Sequence, residues 1–323
     1  MISPIPIAVA PMMGWTDRHC RFLHRLISPN VLLYSEMVTA RAILHGDKNR
    51  LLGFDDRERP PALQLGGSNP AELAKTARIG EDIGYDEINL NCGCPSDRVR
   101  KGAFGASLMM APDQVADCVR AMTEAVDIPV TVKARTGVDE QNTDAFLWHF
   151  VETVAKAGCS VFIIHARKCL LSGLSPRENR ETPPLDPERV YRLKRDFPEL
   201  AIIYNGGIKT VNDIRTHLAH TDGVMIGRAA YHNPWLLAEI EKEIYGRTDQ
   251  PSRHEVIASL ADYAEEQAQK GVPVKSIARH ALGLFAGCRG GRAFRRHLAE
   301  NAHKDGAGPE VLYNAAHLVL SDA

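Results

Sequence analysis

"IPVTVKARTGVDEQNTDAFLWHFVETVAKAGCSVFIIHAR", residues 128–167, decides how this chain is read. A run rich in β-branched residues leads, a longer segment with apolar residues at helical spacing follows, and a second β-branched run closes the stretch. Strand, helix and strand within about 40 residues make a parallel βαβ unit. Both strand runs end in polar groups, Lys133 and Arg135 in the first and His165 and Arg167 in the second.

The same unit recurs in both directions. Further strand runs read PIAVAPM, NVLLYSEM, PPALQLGG, YDEINLNC, LAIIYNGG and DGVMIGRAA, and between them lie helical stretches such as NPAELAKTARIGEDIG, APDQVADCVRAMTEAV and TVNDIRTHLAH. Several of these start at Asp, Thr, Ser or Asn, the residues that cap helix N-termini. Eight such units in about 235 residues match a (β/α)8 TIM barrel, and near-continuous apolar strands suit a parallel sheet covered on both faces. An open doubly wound sheet is the runner-up, weakened because no Gly-x-Gly-x-x-Gly follows the first strand. Residues 246–253 are polar, carry a proline and read as a linker. Beyond them come four amphipathic segments, 253–271, 274–287, 293–304 and 309–320, with no strand pattern between. The expected organisation is therefore a barrel over residues 1–246 followed by a small all-α helical bundle over 253–323.

Composition narrows the class. With 323 residues, 44% hydrophobic and 24% charged, the chain has the make-up of an ordinary globular protein. No apolar run approaches the roughly 20 residues that span a bilayer, and no basic start with an apolar core and cleavage site opens the sequence. A cytoplasmic location is expected. Seven cysteines, at 20, 92, 94, 118, 159, 169 and 288, fit reduced thiols better than a disulfide framework. The net charge of −1 hides a polarised tail: Lys275, Arg279, Arg289, Arg292, Arg295, Arg296 and Lys304 face one acid, Glu300. Arginines at three-to-four spacing around a Gly-Gly break gather guanidinium groups on one side of a helix, as phosphate contacts require.

Active sites in this barrel form at the C-terminal ends of the strands, and here those ends are polar. Strand one closes in Ala10, Pro11, Met12 and Met13, strand three in Gln64, and strand four in Asn91, Cys92 and Cys94. The last two close in Asn205, Gly206, Gly207 and in Gly227, Arg228. The small residues at these two ends free backbone N–H groups for an anion, and the helices that follow offer positive N-termini. A phosphate-bearing flavin mononucleotide would use Gln64 at its pyrimidine edge and Lys133 beside the charge of the reduced ring.

The turn INLNCGCPSDRVRKGAFGASLM, residues 88–110, admits a metal site, a redox pair, a nucleophile or a thiol doing acid-base work. Cys92 and Cys94 supply two of about four metal ligands, with no convincing second pair elsewhere. A redox pair normally has two intervening residues; here there is one glycine and then Pro95. A thiol beside the flavin remains. Thiols with the ordinary pKa of about 8.5 are mostly protonated at neutral pH and can give up a proton.

Taken together, APMMGWTD, LQLGG, INLNCGCPSDRVRKGAFGASLM, VTVKARTG, IIHARKCLLSGLSPRENRETPPL, YNGGI and GVMIGRAAYHNPW resemble the successive motifs of the tRNA-dihydrouridine synthases, from Ala10 to about Glu300. The insert HARKCLLSGLSPRENR and the arginine-rich tail are most similar to the A subgroup. The resemblance implies an FMN barrel with a C-terminal helical RNA-binding domain that reduces uridines of the tRNA D-loop at positions 20 and 20a, with NADPH re-reducing the flavin. It implies Cys94 as the proton donor to C5 after hydride reaches C6, and Pro11, Met12, Met13, Gln64, Lys133, His165, Asn205, Gly206, Gly207, Gly227 and Arg228 as FMN contacts. Asn91, Arg177, Arg180, Arg292 and Arg295 resemble tRNA contacts, and Arg135 joins Asn91 as a donor to the flipped base. Cys92 reads as a packing residue, and Gly102 and Gly105 as bends in the thiol-bearing loop. Neither a metal nor an obligate protein partner is expected. Two other readings stay open: a small-molecule FMN dehydrogenase, which leaves the arginine-rich tail idle, and an RNA-binding protein without chemistry, which leaves the thiol and phosphate loop idle.

Overall fold

The computed structural model describes residues 7–96 and 104–320; Gly102 and the outermost residues of the two expected domains, 1–6 and 321–323, lie outside the described residues. The strands are β1 (Ile7–Val9), β2 (Leu32–Tyr34), β3 (Val38–Thr39), β4 (Pro61–Gly66), β5 (Glu87–Cys92), β6 (Val130–Arg135), β7 (Val161–His165), β8 (Ala201–Asn205) and β9 (Gly223–Ile226). Every pairing among them is parallel, and the pairs β1 with β9 and β2 with β4 close the sheet. The result is a (β/α)8 barrel. The run NVLLYSEM, residues 30–37 and read as one strand, forms only the three-residue β2 of the barrel; β3 follows just beyond it and pairs only with the end of β4.

Around the barrel lie α1 (Arg18–Ile27), α2 (Ala40–His45), α3 (Lys48–Leu52), α4 (Pro70–Ile83), α5 (Pro112–Thr123), α6 (Asp144–Lys156), α7 (Pro187–Asp196), α8 (Val211–Leu218), α9 (Arg228–His232) and α10 (Leu236–Glu243). Caps explain where many begin. Asp17, Asn69, Thr143, Asp186 and Thr210 each accept a backbone N–H from the first turn of the helix that follows. The outward side chains of the strands, such as Ile88, Leu90 and Cys92 on β5 and Val130, Val132 and Ala134 on β6, are buried against these helices in the main core. A separate, smaller cluster of Ala8, Ala10, Tyr34, Ala62, Ile163, Ile203 and Met225 fills part of the bore.

The strands are less uniform than their sequences imply. On β5 and β6 the buried outward residues alternate with Glu87, Asn89, Asn91, Thr131, Lys133 and Arg135, so these two strands are apolar on one face only. Polar groups tolerate that position because they bond one another inside the bore, as detailed below.

Four helices follow: α11 (Arg253–Ala268), α12 (Lys275–Ala281), α13 (Gly291–Asn301) and α14 (Glu310–Ala316). They dock on α1. Tyr263 stacks on Phe22 with ring centroids 3.8 Å apart, and its hydroxyl lies 2.8 Å from His19 Nδ1. His280, buried, meets Asp17 at 3.0 Å. Among the described residues no helix is long and apolar enough to cross a membrane, and all seven cysteines are free thiols.

Candidate active site

A cavity of about 1400 Å3 opens at the C-terminal ends of the strands. It gathers most of the residues singled out from sequence. Pro11, Met12 and Met13 line it from β1; Gln64 from β4; Asn91 and Cys94 from β5; Lys133 and Arg135 from β6. His165, Asn205, Gly206, Gly207, Gly227 and Arg228 complete the ring, and Arg180 reaches in from the insert after β7. Arg177 does not line it. That side chain is exposed and faces Glu181 at 3.8 Å, while Glu181 also pairs with Arg228. Arg292 and Arg295 stand exposed on α13, whose Phe294 and Leu298 turn inward. Arg279, on α12, ties the tail to the barrel rim by donating to the Gly14 carbonyl.

The loop that carries the thiol is held from both sides. Asn91 Oδ1 accepts from the backbone N–H groups of Gly93 (3.1 Å) and Cys94 (3.0 Å), and Arg135 Nε donates to the Gly93 carbonyl at 3.1 Å. Arg135 Nη1 donates to the carbonyl of Asn179 at 3.0 Å, which joins the thiol loop to the insert. Arg135, read from sequence as a base contact, thus spends two donors on the scaffold. Cys94 is partly exposed, with Sγ 3.5 Å from Ser96 Oγ, whereas Cys92 is fully buried in the core. Gly105 adopts φ +72°, the left-handed conformation a bend there requires.

Charge around the thiol is positive and poorly solvated. Burial, with the like charge of Arg135 second, pushes the Lys133 ammonium down to about 7. Lys133 Nζ still donates to Asn205 Oδ1 at 2.9 Å. Burial lowers the Arg135 guanidinium to about 10, and burial first, then the neighbouring cations, holds His165 well below the usual imidazole range. His165 is therefore neutral at physiological pH.

At the last two strand ends the backbone is shaped for an anion. Gly206 and Gly207 take φ of +122° and +75°, and a Cβ on Gly207 would lie 2.5 Å from Leu185. Space opens beside Gly227, where an added Cβ would meet nothing within 4 Å. In the first turn of α8, expected to offer free N–H groups, a capping box takes one of them: Thr210 Oγ1 accepts from the Asp213 N–H, and the Asp213 carboxylate accepts from the Thr210 N–H. By contrast, α9 starts at Gly227 with no side-chain cap, and Arg228 is its first residue. Residues that sequence reading passed over include Asn179, which pins the insert through bonds to Leu170 N (2.8 Å) and O (2.9 Å), and the polar bore residues Glu87, Asn89 and Thr131. Strict alternation in EINLNC and VTVKAR was the available signal for the latter.

Fold and site together define a barrel enzyme with a thiol at the mouth of a cation-rich, anion-receptive cavity. A model of the dihydrouridine synthase (Dus) family matches residues 8–319, and the chain belongs to that family. It is 55% identical over 311 residues to a Vibrio cholerae protein named tRNA-dihydrouridine(20/20a) synthase, covering 96% of this chain and 95% of the relative. Proteins of the same name from Shewanella oneidensis and Escherichia coli K12 are each 55% identical; the former covers 98% of this chain and 94% of itself, the latter 97% and 91%.

Proposed function

We propose that this chain is a flavin-dependent tRNA-dihydrouridine synthase of the cytoplasm, with FMN as resident cofactor and NADPH as reductant, acting on D-loop uridines 20 and 20a. The observation that carries the reading is the thiol of Cys94 at the mouth of a cavity of about 1400 Å3 whose far wall is the uncapped turn at Gly227 and Arg228. The donor set fits FMN: open backbone N–H groups and Arg228 suit the phosphate, Gln64 the pyrimidine edge, and Lys133 a ring that gains negative charge. The names carried by relatives at 55% identity support the substrate.

When bound, the flavin supplies hydride to C6 of the uracil. The remaining work falls to the chain. Cys94 Sγ gives its proton to C5, which relieves the negative charge conjugated through the C4 carbonyl, and recovers a proton from solvent through the open mouth. Lys133 holds a proton beside the cofactor, and because its ammonium is only half-favoured near neutral pH, an anionic neighbour draws it to the charged form. Asn91 and Arg180 meet the flipped base and its backbone, and the exposed cations of α12 and α13 grip tRNA phosphates. In this reading, residues 1–246 are the catalytic domain and 253–323 the RNA-binding domain.

Incubation with unmodified tRNA and NADPH, followed by mapping of reduced positions, is expected to give dihydrouridine at 20 and 20a; flavin-loaded protein that reduces no D-loop uridine refutes the reading. Replacing Arg292 and Arg295 by Ala separates it from a small-molecule dehydrogenase. The pair should weaken tRNA binding and flatten the slope of log K against log salt by about two, with flavin reduction by NADPH unchanged.

A further inference from the structure

Inside the bore a file of side-chain hydrogen bonds runs in one direction. It begins at the thiol loop, where the backbone N–H groups of Gly93 and Cys94 donate to Asn91 Oδ1. A backbone N–H can only donate, so the oxygen of Asn91 is fixed there and its nitrogen must face the other way. Asn91 Nδ2 donates to Gln64 Oε1 at 2.8 Å, Gln64 Nε2 to Asn89 Oδ1 at 2.8 Å, and Asn89 Nδ2 to Thr131 Oγ1 at 2.8 Å. The Thr131 hydroxyl then donates to Glu87 Oε1 at 2.6 Å, where the Tyr34 hydroxyl also ends.

The far end is an acceptor in either charge state. Burial raises the Glu87 carboxyl to about 7, but both hydroxyls converge on one oxygen, so a proton on Oε2 leaves the file undisturbed. Backbone donors at the top and a carboxyl acceptor at the bottom therefore set every amide between them. Turning one amide over would set donor against donor on one side and acceptor against acceptor on the other. Asn91 has committed both lone pairs of its oxygen and one N–H to the protein, and Gln64 one lone pair and one N–H. Both line the cavity, so the second N–H is the donor each can offer its occupant.

We propose that Glu87, Thr131 and Asn89 are positioning residues that lock Gln64 and Asn91 as hydrogen-bond donors toward the cavity, making the site selective for rings that present carbonyl oxygens. The selectivity rests on the flavin and uracil reading above; the lock itself does not. Its test pairs Thr131→Val, which removes the hydroxyl at nearly constant shape, with Thr131→Ser, which keeps it. In protein with the cavity empty, side-chain amide exchange followed by NMR should show one slow proton on each of Asn89, Gln64 and Asn91. Thr131→Val should speed those protons about tenfold or more, and Thr131→Ser should restore them. With cofactor and tRNA, Thr131→Val should lower kcat about tenfold to a hundredfold with KM little changed and shift the visible absorption of the bound flavin. Should Thr131→Val not fold, Glu87→Met against Glu87→Gln, which retains an acceptor oxygen, makes the same comparison. Exchange in Thr131→Val equal to wild type, or a Ser variant as impaired as the Val variant, overturns the lock. A wild type that yields no dihydrouridine would instead overturn the functional reading, with the exchange pattern still deciding the lock.

Discussion

One arc of the barrel bore is closed by Ala8, Ala10, Ala62, Ile163, Ile203 and Met225; the other is faced by Glu87, Asn89, Asn91, Thr131 and Lys133. Both arcs sit at comparable depth in the same barrel. The apolar arc stabilises by removing surface from water and filling volume, which any well-fitting hydrophobic set would do. The polar arc gains little net stability, because each of its bonds replaces a bond to water. What it supplies is direction: each bond of the file has an assigned donor and acceptor, and the assignment reaches the loop that holds Cys94. The difference teaches that stability and chemistry in this barrel are divided around its circumference as well as between its two ends.

If that division holds, substitutions on the two arcs should fail in different ways. The largest effect belongs to the polar side's end point: Cys94→Ala should lower dihydrouridine formation about 10²–10⁴-fold while flavin content and melting temperature stay near wild type. Unaltered turnover would remove the proton-donor role. Next comes Ile163→Ala, which should cost about 2–5 kcal/mol in urea unfolding and leave turnover at permissive temperature within about threefold. A loss of chemistry comparable to that of Cys94→Ala would erase the contrast between the arcs.

The smallest effect concerns pH. The folded-state pKa of Lys133 is lowered from 10.5 to about 7. The unfolded chain therefore binds the extra proton between those values, and the stability of the empty protein rises with pH across that window. The cost of the buried ammonium is fully present below about 7 and gone above 10.5. Lys133→Met should accordingly be more stable than wild type at and below pH 7, with the advantage fading toward pH 10; thermal melts of both proteins across that range check it.

Much of this architecture was legible from local pattern. Ile88, Leu90 and Cys92 on β5, and Val130, Val132 and Ala134 on β6, mark the strands because the outward face must be apolar to pack on helices. Strand-end residues could be listed as site candidates for the same reason, since polar groups there need a ligand, a partner or water. What the pattern left out is equally local. Thr210 and Asp213 cap α8 themselves, so one N–H of its first turn is already taken, and a capping box spaced Thr-x-x-Asp was present in the sequence to say so. Arg135 was read as a donor to the flipped base, and it does line the cavity, but only folding brings the carbonyls of Gly93 and Asn179 to it.

By itself, then, the order of residues along the chain determined the βα repeat, the helical tail, the thiol-bearing turn and the family, all of which follow from spacing and residue type within short windows. Tertiary structure alone decided the closure of β1 on β9, the union of Arg279 with the rim at Gly14, and the single direction of the file from Cys94 to Glu87. These depend on groups distant in sequence meeting within hydrogen-bond range, and a donor's orientation is defined only once its acceptor is in place.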